Sequence, residues 1–181
     1  IHEINTPLAV IQANIELMRL SGQSNKYLVK MEAAAKIITN IYEDLSYFIK
    51  KDRFIIKKEL INISEFLSER VEYFKEPAIG ANVSILFYVP EQMFVSFDRT
   101  QLQRMFDNNI FNAIKYSKEG GEIKISLFAD KNGKIIFEVI NSALYKPDVN
   151  NIFKRFYRGS DSRGGFGIGL SLVYQIAVQN G

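Results

Sequence analysis

The chain has 181 residues, of which 47% are hydrophobic, 24% charged and 13% aromatic, so a packed core in a small domain plus a larger one is predicted and global disorder is excluded. The formal net charge of +3 is too small to indicate nucleic-acid binding. The lack of cysteine and the single histidine, His2, exclude disulfide scaffolds, cysteine-based zinc sites, thiol catalysis and multi-histidine metal centres.

Residues 1–50 carry apolar side chains at alternating intervals of three and four, which predicts two helices. The breaker at 21–25 separates them into an antiparallel hairpin. So narrow a stripe favours a four-helix bundle made by two copies of the chain, and packing of the hairpin against the rest of the same chain is the alternative. The stripe, called the seam below, consists of Ile1, Ile4, Leu8, Ile11, Ile15 and Met18, then Leu28, Met31, Ala35, Ile38, Tyr42, Leu45 and Ile49.

The remaining chain mixes helical and strand patterns, which predicts an α+β sandwich with helices on one face of largely antiparallel strands. Residues 51–58 are basic and are predicted to be a solvated linker. The predicted elements are a helix at 63–75, strands at 82–89 and 93–97, a helix at 98–117 with Asp98 as its N-cap, strands at 121–129 and 134–141 joined by a tight turn, and a last helix that begins near Gly167.

The lone histidine lies beside the seam rather than on it, so its imidazole is expected to be exposed. Glu3 is adjacent, and Asn5 and Thr6 are three and four residues further along the same helical face. A single histidine is more often an ordinary surface or core residue. An exposed imidazole next to a carboxylate is nevertheless a good nucleophile near neutral pH.

Two further groups of residues favour phosphate chemistry. Asn108, Asn112 and Lys115 share one stripe of the 98–117 helix, where amide oxygens suit Mg²⁺ and lysine suits phosphate; the alternative is a merely solvated polar face. The glycines of GGFGIG (164–169) run into a helix, an arrangement that exposes backbone amides to phosphate, and Arg158 lies just upstream. No strand precedes this glycine loop, which argues against a dinucleotide-binding fold.

Four segments, in this order, resemble sensor histidine kinases of two-component systems. HEINTPL (2–8) resembles the phosphoacceptor H-box, DNNIFNAIKYS (107–117) the N-box, IFKRFYRG (152–159) the F-box and GGFGIGLSLV (164–173) the G2-box. The resemblance covers nearly the whole chain. It implies a dimerisation and phosphotransfer hairpin at 1–50, a linker at 51–58 and a Bergerat-type α/β sandwich that binds ATP at 59–181, with part of the hairpin before residue 1 and the closing strands of the sandwich outside the chain.

The resemblance also implies roles for individual residues. His2 is the phosphoacceptor, Glu3 is its acid–base partner, and Thr6 with Asn5 orients water for dephosphorylation of a partner. Asn112 binds Mg²⁺ with Asn108 beside it. The other residues that the resemblance places around ATP are Lys115, Tyr116, Arg158, Gly165, Gly167, Gly169 and Leu170.

One segment departs from the family pattern. Asn141 stands where the family has the aspartate that accepts a hydrogen bond from the adenine amine, and Ala143 and Tyr145 stand where glycines are usual. An asparagine keeps one carbonyl acceptor, so we expect the adenine bond to be present but weaker than a charge-assisted one.

The resemblance implies ATP-dependent phosphorylation of His2, phosphoryl transfer to an aspartate of a response-regulator receiver domain, and dephosphorylation of that regulator. We expect a homodimer that binds no nucleic acid. No apolar run approaches the ~20 residues of a membrane span, so a soluble, intracellular piece is expected. The resemblance implies the cytoplasmic portion of an inner-membrane-anchored sensor, attached to the membrane only through segments outside this chain. The alternatives are a gyrase-like ATPase, disfavoured because Asn108 replaces its water-activating glutamate, and a degenerate member that acts as a phosphatase or a dimeric interaction module.

Overall fold

A computed structural model describes the backbone of residues 2–22, 26–50, 56–159 and 167–180, and their side chains except at 2–7, 10, 26, 27, 48 and 50. The predicted hairpin is confirmed as α1 (His2–Leu20) and α2 (Lys26–Lys50). Its register is marked by Gln12, whose Nε2 donates to Thr39 Oγ1 at 2.9 Å. Seam residues Leu8, Ile15, Leu28 and Ala35 form the buried core of the hairpin.

Other seam residues remain exposed. Ile11 is 49% exposed, Met31 46% and Ile38 48%. A single hairpin therefore covers only part of its apolar stripe, which is the arrangement expected of half a four-helix bundle. The dimer itself stays a prediction.

The rest of the chain forms a second structural unit with helices packed on strands. In chain order its elements are β1 (Lys58–Asn62), α3 (Ile63–Tyr73), α4 (Lys75–Gly80), β2 (Ser84–Tyr88), β3 (Phe94–Asp98), α5 (Arg99–Tyr116), β4 (Glu122–Ala129), β5 (Ile135–Asn141) and α6 (Gly169–Asn180). The predicted N-cap of α5 is confirmed, because Asp98 Oδ1 accepts from the Gln101 amide at 3.0 Å.

Two elements differ from the prediction. Strand β1 was not expected, and its first residue, Lys58, had been assigned to the linker; Ile61 is the only buried residue of this strand, so β1 lacks the alternation that marks a half-buried strand. The helix predicted at 63–75 is followed by a separate helix, α4. Pro77 lacks the amide hydrogen that would continue the α3 ladder to the Tyr73 carbonyl.

The strands form two small sheets. β1 pairs antiparallel with β3, and β4 lies between β2, which is parallel to it, and β5, which is antiparallel. Helix α5 covers this layer, and Phe106 and Ile110 on the helix share one core with Ile123 and Ile125 of β4. The mixed α+β class is confirmed: two of the three described strand pairs are antiparallel, as expected, and the β2–β4 pair is parallel.

A second stripe of α2 packs against this unit. Lys36 Nζ donates to Glu76 Oε2 of α4 at 2.6 Å, and the Tyr47 ring shares a buried cluster with Leu172 and Ile176 of α6. The alternative considered for the hairpin, packing against the same chain, is therefore present on a face other than the exposed seam.

Candidate functional site

A cavity of about 630 Å³ lies between α2, α5, the end of β5 and the start of α6. This volume is within the range of small-molecule sites. Most of the predicted nucleotide-site residues line it: Asn108, Asn112, Lys115, Tyr116, Asn141, Arg158, Gly167, Gly169 and Leu170. Gly165 and the side chains of His2, Glu3, Asn5 and Thr6 lie outside the described residues; the backbone of those four belongs to α1.

Asn112 and Lys115 occupy the part of α5 that faces the cavity. No hydrogen bond between described side chains engages the Asn112 amide, so its oxygen is available to a ligand. Lys115 Nζ lies 4.7 Å from the centroid of the Tyr116 ring. A cation over an aromatic face is held in place without losing its charge, so the cavity has a positive group at this point.

Asn108, one turn before Asn112, has a different environment. It is 2% exposed, and its Nδ2 donates to Asp44 Oδ1 and to the Arg104 carbonyl, both at 3.0 Å. Its Oδ1 faces α6 so closely that a Cβ built at Gly169 would lie 2.0 Å away. The Asn108 side chain therefore joins α5 to both α2 and α6.

Asp44 was missed by the sequence analysis, although it lines the cavity. Burial raises the pKa of its carboxyl from 3.8 to about 6, against the opposing effect of Arg104, whose Nη1 lies 3.5 Å from Oδ1. The neighbouring Glu43 pairs with the same guanidinium at 3.0 Å. The cavity wall formed by α2 thus contains a carboxylate that is only partly compensated.

The two described glycines of the loop are required by close packing. Gly167 has φ +68°, and a Cβ there would lie 2.5 Å from the Tyr157 carbonyl oxygen. The Gly167 carbonyl accepts from the Phe156 amide at 2.8 Å. The sequence analysis attributed these glycines to phosphate approach alone, whereas contacts with the F-box segment and with Asn108 also exclude a side chain.

The F-box segment contributes further residues that the sequence analysis missed. Tyr157 lines the cavity, and its hydroxyl donates to Asp148 Oδ2 at 3.2 Å. The pKa of Asp148 is lowered, first by a hydrogen bond from Asn151 Nδ2 at 2.6 Å. Arg158, next in the chain, is exposed at the edge of the cavity.

Asn141 ends β5 and is half-buried in the cavity wall. Its Nδ2 donates to Ser117 Oγ at 3.2 Å. Ala143, where the sequence departs from the expected glycine, forms a single antiparallel bridge with Ser117, and Tyr145 is 54% exposed at the cavity. The backbone after β5 is therefore tied to the end of α5 by local pairing.

Comparison with known proteins identifies two families along the chain. Residues 2–53 match the "His Kinase A (phospho-acceptor) domain", and residues 97–181 match the "Histidine kinase-, DNA gyrase B-, and HSP90-like ATPase" family. Within the described part of the chain, no helix is long and apolar enough to cross a membrane.

The chain is similar to the sensor histidine kinase WalK of Bacillus subtilis, with 27% identity over 99% of the chain and 32% of that protein. The chain thus spans about a third of this relative. The solved catalytic domain of the histidine kinase ThkA has 28% identity and a TM-score of 0.59 over 68% of the chain and 82% of the domain. Full-length ShkA in complex with AMPPNP, at 20% identity, shares the fold over 98% of the chain and 39% of ShkA, with a TM-score of 0.65.

Proposed function

Because the chain belongs to the sensor histidine kinases of two-component systems, we propose that it phosphorylates His2 with ATP and passes the phosphoryl group to an aspartate of a response-regulator receiver domain. The observation that carries the proposal is the convergence of Asn112, Lys115 and Asn141 on one cavity. These residues supply a metal ligand, a positive charge for phosphate and an acceptor for the base amine.

The register of the hairpin supports this proposal. Gln12 is level with Thr39, so His2, ten residues earlier, is level with Ile49 in an antiparallel hairpin. Asp44, at the cavity wall, is five residues beyond Thr39. At 1.5 Å per residue, the His2 backbone is about 8 Å further along the hairpin than Asp44.

The proposed reaction is an in-line displacement at the γ-phosphorus. A ring nitrogen of His2 forms the new P–N bond while the bond from the γ-phosphorus to the bridging oxygen of ADP breaks. Glu3 accepts the proton from the other ring nitrogen. Lys115 and Arg158, both at the cavity, stabilise the negative charge of the transferring group and of the departing ADP.

The residues present suit Mg²⁺ bound together with a nucleotide. The described residues contain no cluster of three histidine, cysteine or acidic side chains that could hold a metal unaided. Mg²⁺ commonly uses few protein ligands together with substrate phosphates and water, and Asn112 offers one oxygen ligand at the cavity. The ion would neutralise phosphate charge during transfer.

We further propose that two copies pair through the exposed seam and that the chain is the cytoplasmic portion of a membrane-anchored sensor. A gyrase-like ATPase is disfavoured because the water-activating position is Asn108, an amide that is hydrogen-bonded to Asp44.

We also propose that Thr6 with Asn5 orients water for dephosphorylation of the regulator. Mutation of Thr6 to alanine should slow regulator dephosphorylation and spare phosphorylation of His2.

The direct test is incubation of the 181-residue chain with γ-labelled ATP and Mg²⁺. Label should be acid-labile and base-stable and should be absent from His2→Gln, whereas calorimetry should show that this variant still binds ATP, because His2 is proposed to receive the phosphoryl group and not to bind the nucleotide. Label that persists in the variant, or that sits on a hydroxyl group, contradicts phosphorylation at His2. ATP binding without any labelling would favour the degenerate alternative.

Base recognition has its own test in Asn141→Ala. The variant leaves the adenine amine without its acceptor, so ATP affinity should fall by roughly 1–3 kcal/mol. Asn141→Asp should hold or improve affinity, because a carboxylate is the stronger acceptor. If the alanine variant binds ATP as well as the parent, Asn141 does not contact the base.

A further inference from the structure

An asparagine in place of an aspartate creates a problem for base recognition. A carboxylate can only accept hydrogen bonds, whichever of its oxygens faces the ligand. The Asn141 amide can present either its oxygen, which accepts, or its NH₂, which donates. Rotation by 180° exchanges the two at little intrinsic cost, so selectivity for the base depends on what holds the amide in one orientation.

Ser117 lies directly behind Asn141. It caps the end of α5, is 4% exposed and does not line the cavity. Its Oγ lies 2.6 Å from the Ala113 carbonyl oxygen and 3.2 Å from Asn141 Nδ2. This buried hydroxyl therefore connects a backbone acceptor on one side to the Asn141 amide on the other.

The polarity of this chain of hydrogen bonds follows from its geometry and proton count. The Ala113 carbonyl also accepts from the Ser117 backbone amide at 3.1 Å, but two oxygens that lie 2.6 Å apart need a proton between them, so the single hydroxyl proton of Ser117 is directed at Ala113. Only lone pairs of Oγ remain for Asn141, and the group that faces them must be an N–H. A rotated amide would place two acceptors in a buried contact without a proton between them, which is unfavourable.

We propose that Ser117 is a positioning residue that holds the Asn141 amide with its oxygen toward the base, so that the site accepts a 6-aminopurine nucleotide and rejects a 6-oxopurine nucleotide. The inference rests on the proposed function, in which Asn141 contacts the base. Adenine offers a donor at its 6-position, whereas hypoxanthine and guanine offer an acceptor there. Asn141 thereby acts as an acceptor-only group, as an aspartate does.

The test compares the affinities of the 181-residue chain for ATP and for inosine triphosphate. Inosine triphosphate carries a 6-oxo group in place of the 6-amino group of ATP, and it lacks the 2-amino group of guanine. The parent should prefer ATP on the order of tenfold or more. In Ser117→Ala the amide is released to rotate, so the ratio should approach one. This should occur partly through a rise in affinity for inosine triphosphate, which mere damage to the fold would not produce.

Three further variants isolate the effect. Ser117→Thr keeps the hydroxyl and should retain the parent ratio. In an Asn141→Asp background, Ser117→Ala should leave inosine triphosphate disfavoured, because a carboxylate has no N–H to offer. Ser117→Cys, with a weakly hydrogen-bonding thiol of similar size, should shift the ratio in the same direction as alanine and serves if the alanine variant does not fold.

An unchanged ratio in Ser117→Ala or, where that variant does not fold, in Ser117→Cys overturns the inference, and so does an equal loss of affinity for both nucleotides. Failure of the proposed function is a different result, in which the parent itself binds neither nucleotide.

Discussion

The buried carboxyl of Asp44 makes a specific prediction about stability and pH. Asp44→Asn removes the charge and keeps an oxygen that can accept from Asn108 Nδ2, which now lies 3.0 Å from Asp44 Oδ1. Since the pKa of Asp44 is about 6 rather than 3.8, ionisation of this group is less favourable in the folded than in the unfolded chain, and the ionised carboxyl destabilises the fold by ~3 kcal/mol at neutral pH. The attraction of Arg104 lowers the pKa of Asp44 and offsets only part of this effect of burial.

The sign of the pH dependence follows from the raised pKa. Between about pH 4 and pH 6 the folded chain holds a proton at Asp44 that the unfolded chain has lost, so the parent is destabilised as the pH rises through this window. Below it Asp44 is protonated in both states, and the variant and parent should be nearly equal in stability. Above it the variant should be more stable by up to ~3 kcal/mol.

Urea unfolding of both proteins across this pH range measures the difference directly. Subtraction of the parent removes the contributions of other carboxyls, such as Glu76, whose pKa is lowered and whose pH dependence has the opposite sign. Glu43→Gln is the matched control. It removes a neighbouring carboxylate whose side chain is 38% exposed and which pairs with Arg104, whose side chain is only 10% exposed, so at neutral pH it should lower stability and not raise it. A less stable Asp44→Asn variant at neutral pH, or a difference that does not change with pH, would refute the reasoning.

Two substitutions test the packing around the site and the pairing of two copies through the seam. Gly169→Ala places a Cβ 2.0 Å from Asn108 Oδ1 and should lower the free energy of unfolding in urea by roughly 1–3 kcal/mol. Gly159→Ala is the control and should be neutral, because a Cβ there meets nothing within 4 Å. Equal effects of the two substitutions would mean that the contact between Gly169 and Asn108 is not tight. Ile38→Glu places a charge on the exposed seam and should convert a dimer to a monomer in sedimentation, whereas Ile79→Glu, on a 65% exposed residue of α4, should not. A dimer that persists in Ile38→Glu would contradict pairing through the seam.

The elements with strong periodicity were predicted well from the sequence. The seam predicted both helices of the hairpin, and α5 was found with its N-cap at Asp98 because capping is a local interaction. Strand β1 was missed because one buried residue, Ile61, gives no alternation. Its pairing with β3 is a long-range contact that local patterns do not encode.

The second stripe of α2 was missed for a different reason. Its members Lys36, Asn40 and Asp44 are polar, so a search for apolar periodicity passes over them. They are buried or partly buried only because α4 and α5 supply the other surface. A carboxylate and an amide spaced four apart on α2, away from the seam, were the only available signals.

The predicted polar stripe of α5 was found, but its members face different surroundings. Asn108 and Asn112 are one turn apart, so periodicity places them on one side of the helix. Burial separates them, because α2 and α6 cover the turn that contains Asn108 and leave Asn112 at the cavity. The identity of the neighbouring elements, which a single helix does not specify, decides which amide is available to a ligand.

Asn108 therefore connects the hairpin to the wall of the cavity. Its Nδ2 is bonded to Asp44 on α2, while its Oδ1 supports the start of α6, where Gly169 lines the cavity. Movement of α2 relative to α5 removes one partner of a buried amide and exposes the Asp44 carboxyl to water, which relieves its desolvation. A ligand that binds the cavity more tightly in one of these two positions of α2 favours that position. By linkage, the position of α2 changes the affinity for the ligand by the same free energy. Since α1, antiparallel to α2, carries His2, the proposed phosphoacceptor, the contact between Asp44 and Asn108 would link nucleotide binding to the position of that helix.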